Sequence, residues 1–175
     1  STENAWSAYG NDACRCINSN LYNSIDLRDF RRHSWLDPDR KDPEKESYDY
    51  KSCRKEGKEY FNELPDYANI KFRPAQGAYE DFKVGGAADH PYMRVEEMYF
   101  TAAEAALRLD DLKSARELMN TVMAERDPGY SANNRSGTLL GATTTTWTGS
   151  FLENILTHRR IELWGEYGRL FDVRR

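Results

Sequence analysis

Apolar positions between Pro91 and Tyr130 recur every three or four residues, and this pattern predicts a helical hairpin. Such a spacing keeps one face of a helix in register against a partner. We therefore expect the apolar stripe of the first helix to be its core face. The stripe consists of Val95, Met98, Tyr99, Ala102, Ala106 and Leu109.

The second helix of the hairpin is predicted to follow Asp110 or Asp111, because either carboxylate can cap its first turn. Pro128 and Gly129 are expected to end it. Two helices joined by so short a turn must pack antiparallel. The apolar positions of the second helix are Leu112, Ala115, Leu118, Met119 and Val122.

Small residues in the hairpin suit a close crossing of two helices, as in a tetratricopeptide-type repeat of about 34 residues. One such unit cannot bury its own hydrophobic face, so we expect it to stack against other helices. The small residues are Ala102, Ala103, Ala105, Ala106 and Ala115.

A third helix is predicted to begin at Phe151, because Ser150 and Glu153 form the S-x-x-E pattern of a capping box. We expect it to run to about Gly168, after a polar loop over residues 131–150. Its predicted apolar contacts are Leu152, Ile155, Leu156, Leu163 and Trp164.

Two charged stripes are expected to pair with each other, since an unpaired ionised group in a core is costly. One stripe lies on the first helix and the other on the third, with spacings of 3 and 4 between its members. The first contains Arg94, Glu97 and Glu104, and the second contains Arg159, Glu162, Glu166 and Arg169.

Catalysis is the alternative interpretation of these carboxylates, for example glycoside hydrolysis, which needs two carboxyl groups about 5–9.5 Å apart. Acidic residues are so numerous that such pairs carry little information. No serine or cysteine stands in a recognisable nucleophile setting beside His33, His90 or His158. We therefore favour the structural interpretation and predict no catalytic residue.

The first 90 residues show no long helical period and contain many turn-forming residues, so they predict loops with a few short elements. Residues 37–45 form a charged, proline-broken segment that is expected to project into solvent, and residues 70–74 could form a short strand. The predicted fold is mostly α: a tetratricopeptide-like helical frame over residues 91–175 and a loop-rich, irregular region over residues 1–90.

Composition restricts the function. A net charge of −4 and a pI near 5.5 argue against nucleic-acid binding, which needs a basic surface. No apolar run is long enough to span a membrane, and no signal-peptide core opens the chain. The chain is hydrophilic but contains eleven tyrosines, seven phenylalanines and four tryptophans. We therefore expect many of these rings to lie in solvent-exposed loops.

Three cysteines leave an odd thiol whichever pair forms. A disulfide from Cys53 to Cys14 or Cys16 is one interpretation, in an oxidising compartment. A zinc site formed by the three cysteines and His33 is another, but C-x-C is not the usual ligand spacing. Free thiols are the simpler interpretation, and we predict no metal or cofactor.

Two segments resemble the SusD/RagB family of outer-membrane nutrient-binding lipoproteins. YMRVEEMYFTAAEA, at Tyr92–Ala105, is similar to the family's Y-x-R-x-A-E-x-Y-L-x-x-A-E-A pattern. FLENILTHRRIELWGEYGRLFDVRR, at Phe151–Arg175, is similar to its closing F-L-x-x-I-L-x-E-R-R-x-E-L-A-F-E-G-x-R-x-x-D-L-R-R pattern. The chain departs from these patterns at Glu96, His158 and Tyr167. The matches in the second segment are Arg159, Arg160, Glu162, Leu163, Glu166, Arg169, Asp172, Arg174 and Arg175.

The resemblance implies a cell-surface protein that captures a glycan, or in some cases a peptide, and delivers it to a TonB-dependent, SusC-like transporter in the outer membrane. It also implies that this chain is a C-terminal portion, because family members are much longer and their lipid-modified cysteine lies near the mature N-terminus. In the family, the helical frame packs against the transporter and the variable loops carry the aromatic ligand platform. The resemblance therefore implies that residues 1–90 are the ligand-face region and that the chain is not an enzyme.

Aromatic residues ahead of Pro91 are the expected ligand contacts, since sugars stack their C–H faces on Trp and Tyr. Asn11 and Arg40 are nearby polar options, whereas Trp147 is a further platform or an anchor for its loop. A packing role is the alternative for Trp35. The predicted ligand-binding residues are Trp6, Tyr9, Trp35, Tyr48, Tyr50 and Tyr79, and the predicted structural charge network is Arg94, Glu97, Glu104, Arg159, Glu162, Glu166, Arg169 and Asp172.

Two other classes of function remain as alternatives. A tetratricopeptide-type adaptor would use the same hairpin as a groove for a protein partner and bind no sugar. A carbohydrate-cleaving enzyme is the weaker alternative.

Overall fold

The computed structural model of the protein describes residues 15–41, 64–71, 93–133 and 150–166. Regular structure within these ranges consists of four α-helices and two 3-10 helices, with no β-strand, which confirms the mostly α fold class. The helices are α1 (Ser19–Asn23), α2 (Val95–Arg108), α3 (Leu112–Ala124) and α4 (Phe151–Glu162), and the 3-10 helices are Phe30–Ser34 and Pro38–Lys41.

The chain divides into two compact units. The loop-rich unit comprises residues 1–27 and 31–90, and the helical unit comprises residues 28–30 and 91–175. The predicted assignment of ligand binding to residues 1–90 and of scaffolding to residues 91–175 stays a prediction.

The helical unit is built on α2, which packs against both α3 and α4. α2 and α3 form the predicted hairpin, joined at residues 109–111. Apolar side chains from all three helices and from the segment after α3 form one core. Its buried members are Phe100, Ala103, Leu107, Ala115, Met119, Val122, Met123, Ala132, Phe151, Leu152 and Ile155.

The predicted core face of α2 was wrong in part, because Tyr99 and Ala106 do pack against the core but three other members of the stripe do not. Val95, Met98 and Leu109 are 65%, 46% and 81% exposed, whereas Phe100 and Leu107 are buried. α2 has a second apolar stripe at the same period, and this second stripe faces α3 and α4. A helix with two apolar stripes has an ambiguous core face in the sequence alone.

Local capping fixes where α3 and α4 begin. Asp111 Oδ1 accepts a hydrogen bond of 3.0 Å from the backbone N–H of Ser114, so Asp111 and not Asp110 caps α3. Ser150 Oγ accepts a bond of 3.1 Å from the N–H of Glu153, as the predicted capping box requires.

Both helices end before the positions expected from sequence. α3 ends at Ala124, ahead of Pro128, and α4 ends at Glu162 and continues only as a turn to residue 166. Of the apolar residues predicted for α4, Leu152 and Ile155 are buried, whereas Leu156, Leu163 and Trp164 are only partly buried. Phe151 and Ile161 are buried in addition.

The loop-rich unit has a small core of its own, although its segments are mostly irregular. Backbone hydrogen bonds hold residues 67–70 between residues 15–17 and residues 34–36, with isolated bridges in place of strands. Ile70 and Lys71 do not form the predicted strand, and residues 72–74 lie outside the described ranges. The buried apolar residues are Ile17, Leu21, Tyr22, Ile25, Trp35, Leu36, Leu64, Ala68 and Ile70.

Candidate functional site

The structure describes one of the six predicted ring-stacking residues. Trp35 is completely buried, so its ring has no free face for a sugar and it fills the core of the loop-rich unit instead. The structure therefore corrects the prediction that Trp35 binds a ligand and assigns it a packing role. The other five candidates lie outside the described residues: Trp6, Tyr9, Tyr48, Tyr50 and Tyr79. Asn11, Trp147 and the side chain of Arg40 also lie outside them.

A cation, an aromatic ring and a carboxylate meet in the loop-rich unit. The guanidinium of Arg32 lies 4.1 Å from the centre of the Tyr22 ring and donates to the carbonyl oxygens of Tyr22 and Ile25 near the end of α1. The Tyr22 hydroxyl donates a bond of 2.7 Å to Asp37 Oδ2, and Arg32 Nη2 lies 3.5 Å from the same oxygen. Tyr67 packs its ring edgewise against Tyr22 at 5.2 Å.

The second oxygen of Asp37 faces the exposed side of this cluster. Asp37 Oδ1 accepts a bond of 2.8 Å from the backbone N–H of Asp39, inside the 3-10 helix Pro38–Lys41. One carboxylate therefore connects the half-buried Tyr22 and Arg32 cluster to the backbone of the exposed Asp39.

In the helical unit, Arg94 joins the start of α2 to the end of α4. Its Nη2 lies 2.7 Å from Glu162 Oε1 and donates to the carbonyl oxygen of the same residue at 2.9 Å. Its Nε lies 3.0 Å from Glu166 Oε2. Because the two glutamates are almost fully buried, these charge-assisted bonds replace the water that the carboxylates give up on folding.

Arg126, just beyond α3, completes this network and was missed in the sequence. It pairs with Glu96 on α2 and approaches Glu162 at 3.4 Å, while its carbonyl oxygen accepts a bond from the N–H of Phe30. Burial opposes the charge of Arg126, but Glu162 and Glu96 outweigh it and raise the pKa of the guanidinium. Neither charged stripe contains Arg126, so periodicity gave no signal for it.

A second link between α2 and α4 runs through Arg159. Its Nη2 lies 3.0 Å from Glu97 Oε1, and its Nη1 donates to Thr101 Oγ1 at 2.6 Å. Glu104 instead pairs within α2, with Arg108 Nη2 at 2.9 Å.

Arg169 and Asp172, the remaining members of the predicted network, lie outside the described residues. So do Cys14 and Cys53, which take part in both alternative disulfides and in the alternative zinc site. No group of three or more His, Cys, Asp or Glu side chains in the described ranges could hold a metal ion.

Comparison with known families identifies the chain. Residues 44–175, most of its length, match the family model described as SusD family. The chain belongs to the SusD family. Proteins of the SusD family bind glycans at the cell surface and are associated with the outer membrane. Neither the curated proteins nor the solved structures gave a match.

Two of the residues that depart from the SusD family pattern make contacts that the structure describes. Glu96, where a small residue is usual, pairs with Arg126. His158, where glutamate is usual, packs edgewise against the Tyr130 ring at 5.1 Å, and the Tyr130 hydroxyl donates to Asn154 Oδ1. Tyr167, the third departure, lies outside the described residues.

The described helices of this SusD family member carry many charged side chains. In the described part of the chain, no helix combines the length and the apolar character that a bilayer crossing requires.

Proposed function

We propose that this SusD family chain captures an oligosaccharide at the cell surface and delivers it to a TonB-dependent, SusC-like transporter, without cleaving a bond. The observation that supports the proposal most strongly is the family match over residues 44–175. The interlocked helical unit agrees with it, because a binding protein gains affinity when its frame is ordered before the ligand arrives.

The helical unit supplies the frame in this proposal. Arg94 and Arg159 each connect α2 to α4 through ion pairs with buried or half-buried glutamates. Such pairs fix the relative position of the helices, since breaking either one would take a counterion away from a buried or half-buried charge. The hairpin is a tetratricopeptide-like unit in this interpretation, and the family's transporter would contact the helical frame.

The loop-rich unit supplies the ligand contacts. Aromatic rings offer flat apolar faces for sugar C–H groups. Amide groups can accept hydrogen bonds from the sugar hydroxyls or donate to them, whereas guanidinium groups donate. With Trp35 assigned to the core, Asn11 and Arg40 remain the polar options. The aromatic candidates are Trp6, Tyr9, Tyr48, Tyr50 and Tyr79.

Attachment to the outer membrane is proposed to come from a lipid anchor near the mature N-terminus of the full-length protein. This follows the family resemblance and needs no membrane-spanning helix. The complete reading frame would reveal a lipidation motif and any neighbouring transporter gene.

Tryptophan fluorescence during titration with glycans selected on an array tests capture. We expect a saturable change in the unaltered chain that Trp6→Phe reduces. Trp35→Phe is the matched control, because a ring buried in the core should not sense the ligand. Release of reducing ends by the purified chain would contradict capture without cleavage, and an array with no bound glycan would contradict glycan capture itself.

A protein-binding adaptor is the second candidate, and the exposed apolar residues of α2 favour it. Val95, Met98 and Leu109 form a stripe at helical spacing that could receive an amphipathic partner helix. If the adaptor function is correct, Met98→Glu abolishes binding of a protein partner in pull-down assays. If glycan capture is correct, the same variant binds glycan as tightly as the unaltered chain.

A further inference from the structure

The side of α2 that faces away from the core carries an apolar seam, which runs from the first residue of the helix to its C-cap. Its members are spaced by three, four, three and four residues, as the two inward positions of a coiled coil are. Such a narrow line differs from the broader face that packs into a globular core. The α2 seam consists of Val95, Met98, Ala102, Ala105 and Leu109, and all of them are exposed.

The apolar surface of the α2 seam is large for one short helix. Met93, just ahead of α2, is also mostly exposed and extends the seam. Together these side chains present roughly 500 Å² per copy, which is the size of the largest patch on a typical monomer. Two copies in contact would bury on the order of 1,000 Å², the lower limit of a specific interface. This area indicates a weak association.

Large and small residues of the α2 seam are placed so that a second copy fits in antiparallel orientation. When Ala102 lies opposite Ala102 of the second copy, Met98 lies opposite Ala105. At each end, Val95 then lies opposite Leu109. A large side chain meets a small one on both sides of the centre, and the small centre lets the helices approach closely. A parallel pair would instead place Met98 against Met98 and Ala105 against Ala105, one crowded layer and one empty layer.

The residues that border the α2 seam are compatible with such a contact. On one border, Arg94 and Arg108 already pair with glutamates of the same helical unit. A second copy therefore brings no uncompensated charge into the contact at these two positions. On the other border, Tyr99 and Ala106 pack partly against the core. The seam thus continues the apolar core of the helical unit outward.

We propose that the α2 seam is the contact surface of a homodimer, in which α2 pairs antiparallel with α2 of a second copy about an axis near Ala102. Such an interface is isologous, because the same patch serves both copies and each contact away from the axis occurs twice. The expected dissociation constant is on the order of 10 µM. The inference concerns α2 and does not depend on glycan capture.

Sedimentation equilibrium of the chain at concentrations from about 1 to 500 µM tests the dimer. A reductant is included, so that the exposed Cys16 does not link two copies through a disulfide. We expect a change from monomer to dimer within this range. A chain that stays monomeric throughout overturns the inference, and binding of a different protein to the seam of that monomer would support the adaptor function instead.

Opposite charges at the axis identify the surface that is used. Ala102→Glu places two carboxylates against each other, so the dissociation constant should rise about tenfold or more. Ala102→Lys should weaken the dimer in the same way. An equimolar mixture of the two variants should associate as a heterodimer, which also shows that both variants fold. A mixture that stays monomeric overturns the inference.

Ala124→Glu is the matched control. Ala124 is exposed like Ala102, but it lies at the end of α3 and outside the α2 seam. The substitution adds the same charge to the same unit and should leave the equilibrium between monomer and dimer unchanged. An equal weakening by Ala124→Glu and Ala102→Glu overturns the inference, because net charge alone would then explain the effect.

A second pair of variants tests the orientation of the helices. Val95→Glu and Leu109→Lys each place a charge at one end of the seam, and antiparallel pairing brings these two positions together. A mixture of the two variants should therefore associate more tightly than either variant alone. No gain in the mixture overturns the antiparallel pairing.

Discussion

The two units of this chain use arginine in different ways. In the helical unit, Arg94, Arg126 and Arg159 pair with glutamates on helices distant in sequence. In the loop-rich unit, Arg32 instead covers a tyrosine ring and donates to the carbonyl groups at the end of a five-residue helix. Long helices present regular charged stripes that can interlock, whereas irregular segments need one side chain that satisfies several backbone groups at once.

The largest effect is expected at Glu162, which is shared by Arg94 and Arg126 and is 5% exposed. Glu162→Ala leaves two guanidinium groups with reduced compensation and should lower the free energy of unfolding by about 3–5 kcal/mol. The measurement is equilibrium denaturation by urea.

Glu117→Ala provides the contrast on the same unit. Glu117 lies 3.9 Å from Lys113, and both side chains are mostly solvent-exposed. Solvent screens such a pair, so its removal should change the free energy of unfolding by about 0.5 kcal/mol or less. Similar losses at Glu162 and Glu117 would show that buried pairing does not hold this frame together.

In the loop-rich unit, we expect substitution of Arg32 to lower the free energy of unfolding by less than substitution of Glu162 does. Arg32→Ala removes the contact with the Tyr22 ring, the pairing with Asp37 and two bonds to carbonyl oxygens. We expect a loss of about 2–3 kcal/mol. Residue-resolved hydrogen exchange should place the loss in the loop-rich unit, and increased exchange confined to α2 would contradict the separate roles of the two units.

The helix caps allow a further comparison between the two units. Ser150→Ala removes the buried cap of α4, and Asn18→Ala removes the exposed cap of α1, whose Oδ1 accepts from the N–H of Asn20 at 3.0 Å. Substitution of a cap by alanine typically costs about 1 kcal/mol. We expect the loss at Ser150 to be the larger, because water can replace the exposed bond at Asn18. The reverse order in thermal denaturation would contradict this explanation.

Sequence periodicity predicts the helical unit better than the loop-rich unit for a physical reason. The period of 3.6 residues locates α2, α3 and α4, and the Ser150 pattern gives the start of α4. The same period cannot choose between the two apolar stripes of α2, so Val95 was placed on the wrong face.

The links made by isolated residues could not be predicted in the same way. Arg126 lies beyond the end of α3 and outside any stripe, and Trp35 looks like a loop residue in the sequence although it is wholly buried. Their positions depend on contacts between distant segments. The pairing of Arg94 with Glu162 was expected from the two stripes, whereas the Tyr22, Arg32 and Asp37 cluster has no periodic signature at all.

The smallest effect concerns a single exposed carboxylate, Asp111, at the hairpin turn. Hydrogen bonds from the side chain and backbone of Ser114 favour the ionised form and lower the pKa of Asp111. Because the folded pKa lies below the unfolded one, the contribution of this cap is complete above the unfolded pKa and is lost as the pH falls through the folded value. Carboxyl NMR titration should show the pKa of Asp111 rising toward its ordinary value in Ser114→Ala. An unchanged pKa of Asp111 in this variant would contradict the contribution assigned here to the Ser114 side chain.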